Sequence, residues 1–189
     1  MKKSSVAIII IFFLIVLDQI VKVLVKTHVL ENGPVLGHWF YIHFVENEGI
    51  AFGISFGNNA GKLLLSLLRI GVVGFLIYYL CSIIKKKQAN WTVVITFSLI
   101  IAGALGNIID SVFYGVIWKY APLLYGSVVD MFYFKLFMLP QWFPLWGGEY
   151  FFPAVFNVAD ACTTIGIIAI IIWNKKIFVS QNQEDIQQI

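Results

Sequence analysis

The chain is poor in charge and in the residues that build metal sites and disulfides. Charged residues fill 12% of its 189 positions, about half the share of an ordinary soluble domain. The net charge of +3 is too small to argue for a polyanion, so nucleic acid is not an expected partner. Two cysteines cannot make a disulfide framework or a four-ligand zinc site. Cys81 and Cys162 read as inert packing residues. The sequence has no His-Glu-x-x-His pair, no Gly-x-Ser-x-Gly turn and no phosphate-cradling glycine loop. Neither a metal nor a cofactor is expected.

Hydrophobic residues, by contrast, make up 60% of the chain, and the mean hydropathy is +0.87. A soluble fold of this length leaves too much of its area wet to hide that much apolar surface, so the solvent for most of the chain is lipid. Four stretches, 5–25, 63–84, 91–109 and 154–173, have about the 20 apolar residues that a bilayer crossing needs. Lys2 and Lys3 give the first a resemblance to a secretory signal. However, Leu17-Asp18-Gln19-Ile20 follows in place of a small-residue cleavage site, so a retained helix is expected. Lys2, Lys3, Lys85, Lys86, Lys87, Lys175 and Lys176 crowd the short segments on one side. Lys26, Lys62, Lys119 and Lys135 are spread over the long loops 26–62 and 110–153 on the other. The positive-inside rule then puts both termini in the cytoplasm. With no repeat or linker to divide it, residues 1–189 read as a single membrane domain. The expected fold is an all-α membrane protein, a four-transmembrane-helix bundle with a small extracytoplasmic β-sheet and an aromatic interfacial loop.

The sheet is read from residues 38–47, where aromatic and β-branched residues alternate between Gly37 and Gly49. Residues 50–56 are expected to return beside them. The loop 131–153 carries ten aromatics, which favours a position at the headgroup level.

This topology puts Asp18, Asp110, Asp130 and Asp160 at one level. Asp18 lies towards the outward end of the first helix, Asp110 just past the outward end of the third, and Asp130 in the second outer loop. At about 1.5 Å per residue, Asp160 is expected about 9 Å into the fourth helix. Carboxylates near lipid are costly and point to function. Plainer roles exist for some polar groups. Asp18 and Lys22, four apart, can neutralise each other; Asn157 can cap the fourth helix; Asp110 can mark a helix end; Arg69 can snorkel outwards; His28, His38 and His43 can be interfacial. Asp130 and Asp160 have no such account, since neither has an opposite charge three or four residues away. Two carboxyls brought close share a proton, and one can then act as base on water while the other acts as acid. A small proton-coupled or ion transporter would also use intramembrane acids, but such proteins place them near the midplane and between repeated halves. A non-catalytic scaffold would leave both aspartates without purpose.

Five blocks carry a more specific signal. They are Asp18-Gln19-Ile20-Val21-Lys22, Asn47-Glu48-Gly49-Ile50-Ala51-Phe52-Gly53, Gly106-Asn107-Ile108-Ile109-Asp110, Gly126-Ser127-Val128-Val129-Asp130 and Phe156-Asn157-Val158-Ala159-Asp160. In this order, they resemble the bacterial lipoprotein signal peptidases, signal peptidase II. The resemblance implies an inner-membrane aspartic endopeptidase that removes the signal peptide of prolipoproteins before a diacylglyceryl-modified cysteine. It implies Asp130 and Asp160 as the catalytic pair, with Asp18, Lys22, Asn47, Gly49, Asn107, Asp110, Asn157 and Ala159 supporting the site. It also implies membrane lipid as surroundings and cyclic peptides such as globomycin as inhibitors; a monomer is expected. The family usually has arginine directly after the aspartate of the third block, where this chain has Ser111. The segments 110–130 and 130–160 are also longer than is usual.

Overall fold

The computed structural model describes residues 1–29, 33–48, 59–144, 147–152 and 154–174. Its elements run α1 (Lys3–His28), β1 (Gly33–Leu36), β2 (Phe40–Asn47), α2 (Asn59–Lys85) and α3 (Trp91–Ile109). A π-helical turn (Asp110–Tyr114), α4 (Gly115–Ile117), β3 (Val128–Phe134) and α5 (Val158–Asn174) complete the chain. α1, α2 and the continuous stretch Trp91–Ile117 are each long and apolar enough to cross a membrane, and α5 is a shorter apolar helix.

The helices are inside out relative to a soluble protein. Ile8, Phe12 and Phe13 of α1 are exposed, whereas Asp18 and Lys22 are buried. α3 is the central helix, packed against α1, α2 and α5. It starts where the Asn90 side chain accepts the Val93 backbone N–H at 2.9 Å, a helix cap that satisfies an otherwise orphan donor. At this end Ala7, Leu80, Ile83, Val93, Val94, Phe97 and Ile101 form an apolar cluster. At the other end Val25, Tyr114, Val129 and Met131 form a second. The polar site lies between the two.

Lipid tails are as apolar as leucine, so apolar burial does little to drive membrane helices together and close approach matters more. Gly103 and Gly106 supply it. A Cβ on Gly103 would strike the Ala159 carbonyl of α5, and one on Gly106 would lie 2.6 Å from Asp18 Oδ2 of α1.

Three expectations need correction. The third helix does not stop at 109. It continues through the π turn to Ile117, so Asp110 lies within a helical stretch and is fully buried. The fourth helix begins at Val158, which puts Asp160 in its first turn and not about 9 Å deep. The segment 131–153 is not all loop, because Met131–Phe134 belong to β3. That strand pairs antiparallel with β2, on the edge away from β1. Residues 50–56, expected to make the pairing, lie outside the described residues. The rest of the aromatic segment folds back on itself, with Met138 bridged to Tyr150 and the rings of Phe137 and Phe151 stacked 5.0 Å apart.

The β2–β3 register decides which side chains meet. Ile42 pairs with Phe132, but Val45 pairs with Asp130, so β2 carries one extra residue between these pairs, a β-bulge. Because side chains alternate faces, the bulge puts Val45 and Asn47 on the Asp130 face; an unbroken register would put Phe44 and Glu46 there. An amide therefore faces Asp130 in place of a carboxylate, and Glu46 pairs with Lys26.

Gly106→Ala should destabilise the protein by about 1–3 kcal/mol, the usual cost of overpacking, because the buried Asp18 carboxylate in its way is tethered. Thermal unfolding in detergent measures it, with Gly71→Ala, which has open space, as the control.

Candidate active site

Lys22 is completely buried. Its ammonium has three donors, and each has a partner: Asp18 Oδ2 at 2.9 Å, Asp110 Oδ2 at 2.7 Å and Asn107 Oδ1 at 3.0 Å. The expected neutralisation of Asp18 by Lys22 is present, and Asp110 shares the same charge. The other oxygen of Asp18 accepts the Ala159 backbone N–H at 2.9 Å, which ties α1 to the first turn of α5. Asp110 also accepts from Gln19 at 2.9 Å and from the Val129 backbone N–H at 3.2 Å. That last bond holds the residue just before Asp130.

Asn107 turns this scaffold towards Asp160. Its Oδ1 accepts from Lys22 and from Asn157 Nδ2 at 3.1 Å, which orients the amide, and its Nδ2 donates to Asp160 Oδ1 at 2.8 Å. Asn157 caps α5 in a reciprocal arrangement. Its Oδ1 accepts the Asp160 backbone N–H at 2.8 Å, while Asp160 Oδ2 accepts the Asn157 backbone N–H at 3.2 Å, the geometry of a capping box. The same Asn157 donates through Nδ2 to Asp130 Oδ1 at 2.6 Å. The chain before α5 is held for this by backbone bonds between Phe156 and Phe132. Asn47 completes the group by donating to Asp130 Oδ2 at 3.0 Å.

Asp18, Lys22, Asn47, Asn107, Asp110, Asn157 and Ala159 thus converge around Asp130 and Asp160. Gly49 lies outside the described residues. Several contributors had no signal in isolation. Gln19 bonds Asp18, the Gly106 carbonyl and Asp110, and accepts from the Tyr114 hydroxyl. Arg69 does not simply snorkel: its Nη1 donates to Ser111 Oγ at 2.9 Å. The serine that stands where arginine is usual is met by an arginine from another helix.

Asp130 is 3% exposed, and its carboxyl is raised to about 6, first by burial and then by the charge of Asp160, against the hydrogen bonds from Asn47 and Asn157. One carboxyl that keeps its proton up to about pH 6, beside a second carboxyl group, suits acid–base work on an uncharged bond.

The apolar helices and this carboxylate–amide site define the chain as a membrane enzyme. The family model described as signal peptidase (SPase) II matches residues 10–175. A lipoprotein signal peptidase of Porphyromonas gingivalis is 46% identical over 86% of this chain and 79% of its own length. That of Amoebophilus asiaticus is 36% identical over 88% and 76%. A solved structure described as a bacterial membrane enzyme is 32% identical, covers 89% of this chain and 91% of its own, and superposes with a TM-score of 0.64. The chain belongs to the signal peptidase II family, a family of aspartic peptidases.

Replacing Lys22 by Met would strand two buried carboxylates, at a cost of about 3–5 kcal/mol. It should lower the unfolding midpoint far more than Lys86→Met at the exposed surface. Because the Asp130 value is raised in the folded state, its contribution to stability is complete below 3.8 and is lost as pH rises through about 6. The Asp130→Asn protein should lack that component of the pH dependence when thermal unfolding is followed across this range. In Asp160→Asn the loss should move to lower pH yet stay above 3.8, because burial, the larger cause, remains.

Proposed function

We propose that the protein removes the signal peptides of prolipoproteins, cleaving before the lipid-modified cysteine, with Asp130 and Asp160 as the catalytic pair. The observation that carries this is the double role of Asn157, whose side chain holds Asp130 while its backbone N–H holds Asp160. One carboxylate takes a proton from water, and the oxygen of that water bonds to the scissile carbonyl carbon. The other carboxyl protonates the carbonyl oxygen. On collapse the C–N bond breaks, the amine leaves with the proton held by the base, and a hydroxyl of the intermediate returns its proton to the acid. The pair again holds one proton, as at the start.

The bundle is read as multi-pass in the bacterial inner membrane, with both termini cytoplasmic and the site at the outer face. Four spans are proposed, and α5 is the short one: its 17 residues rise about 26 Å against a hydrocarbon core of about 30 Å. A substrate that is an apolar helix ending in a lipidated cysteine would arrive sideways, and water would reach the bond at the outer interface. Membership of a peptidase family removes the support for a transporter.

Asp130→Asn and Asp160→Asn should each lower turnover of a lipid-modified prolipoprotein by about 10²–10⁴-fold. The double variant should be little worse than the poorer single, because the two groups act as one unit. Near-normal cleavage by either folded single variant would overturn the assignment.

A further inference from the structure

A cavity of about 280 Å³ opens between α2, α3 and α5. Arg69, Asn107 and Asp160 with Thr163 and Thr164 form its polar part, and Val72, Val73 and Ala104 are among its apolar lining. Helix geometry grades it. Val72 and Val73 follow Arg69 by a turn of α2, and Ala104 precedes Asn107 by a turn of α3. The slot therefore has its charged groups at the level of the aspartates, and deeper in the bundle it is lined by apolar side chains and the two threonines.

A guanidinium in a membrane helix is costly, and one serine hydroxyl does not neutralise it. Among the described residues Arg69 has no ion pair. The carboxylates whose fields reach it are, in order, Asp160, Asp130 and Asp110. Its bond to Ser111 Oγ uses one of five N–H donors and fixes the plane of the group at the cavity wall. Ser111 is held in turn, because its hydroxyl donates to the Asn107 carbonyl at 2.9 Å. A guanidinium lining a slot that also contains Asp160 calls for an oxygen acceptor.

We propose that Arg69 is a substrate-positioning residue, aimed by Ser111, that donates to a carbonyl oxygen of the substrate segment seated beside Asp160. This rests on the peptidase role of the aspartates. The oxygen belongs either to the peptide backbone or to the acyl ester of the modified cysteine; both are neutral carbonyl acceptors.

The test is steady-state cleavage of a lipid-modified prolipoprotein by the full-length protein, with thermal unfolding measured alongside. Arg69→Leu should raise KM by about 10- to 100-fold, the value of a charge-assisted hydrogen bond, with a smaller effect on kcat. Ser111→Ala, which leaves the cation but not its aim, should raise KM by less. The double variant Arg69→Leu/Ser111→Arg carries the guanidinium on the π turn that follows α3 and should recover most of the loss. Unchanged KM in both single variants would overturn the proposal. So would an impaired Arg69→Leu whose unfolding midpoint falls and which the double variant does not restore, since that is the behaviour of a structural tie between α2 and α3. A substrate with ether-linked chains separates the two acceptors: the Arg69→Leu penalty persists if the oxygen is peptidic and vanishes if it is the ester's. Cleavage by Asp130→Asn would mark failure of the peptidase role instead, whatever Arg69 does.

Discussion

One buried ammonium sets the arrangement of the helices. Lys22 cannot reach water, and three acceptors on α1 and α3 fill its donors. Leaving any of them would strand charge in a medium that screens it poorly. Asp18 passes the constraint to α5 through the Ala159 backbone N–H, and Asp110 passes it to β3 through that of Val129. In lipid, where apolar burial scarcely discriminates one helix rotation from another, this polar knot specifies the relative rotation and depth of α1, α3 and α5. Gly103 and Gly106 make it possible by letting the backbones come close enough for short side chains to meet.

Amides do the finer placement. Lys22 pairs with Asp18 and Asp110, while Asp130 and Asp160 receive Asn47, Asn107 and Asn157. The division has a chemical consequence. A carboxylate beside a buried ammonium has its charge matched by a cation, whereas one held by amides has only neutral donors. Burial and the neighbouring Asp160 then favour the protonated state of Asp130. The β2 bulge serves the same end, turning Asn47 towards Asp130 and Glu46 away from it. A third carboxylate on that face would add to the repulsion already present between the pair.

Much of the fold was legible in the chain because lipid imposes a long, local signal. A run of about 20 apolar residues needs no partner to be recognised. The helices at 5–25, 63–84 and 91–109 are therefore placed to within a few residues at most of their ends, apart from the extension of the third to Ile117. The aspartates stood out for the same reason: an acid in an apolar context is conspicuous whatever it touches. The capping role of Asn157 was also readable, since a cap is local.

What the tertiary structure alone decided concerns groups distant in sequence. Nothing near residue 110 announces the π turn, and the groups that Asp110 meets at its start, the Lys22 ammonium and the Val129 N–H, are distant in sequence. The pairing of β2 with β3, and the bulge that chooses Asn47 over Glu46, depend on a register across more than eighty positions of sequence. Arg69 looked like a snorkelling residue because its partner, Ser111, lies on another helix. Composition and hydropathy determined that this chain lives in lipid and carries its acids at one level. Only the packed helices, by bringing a lysine, three asparagines and a bulged strand to the same place, decided which acids sit beside a cation and which are held by amides.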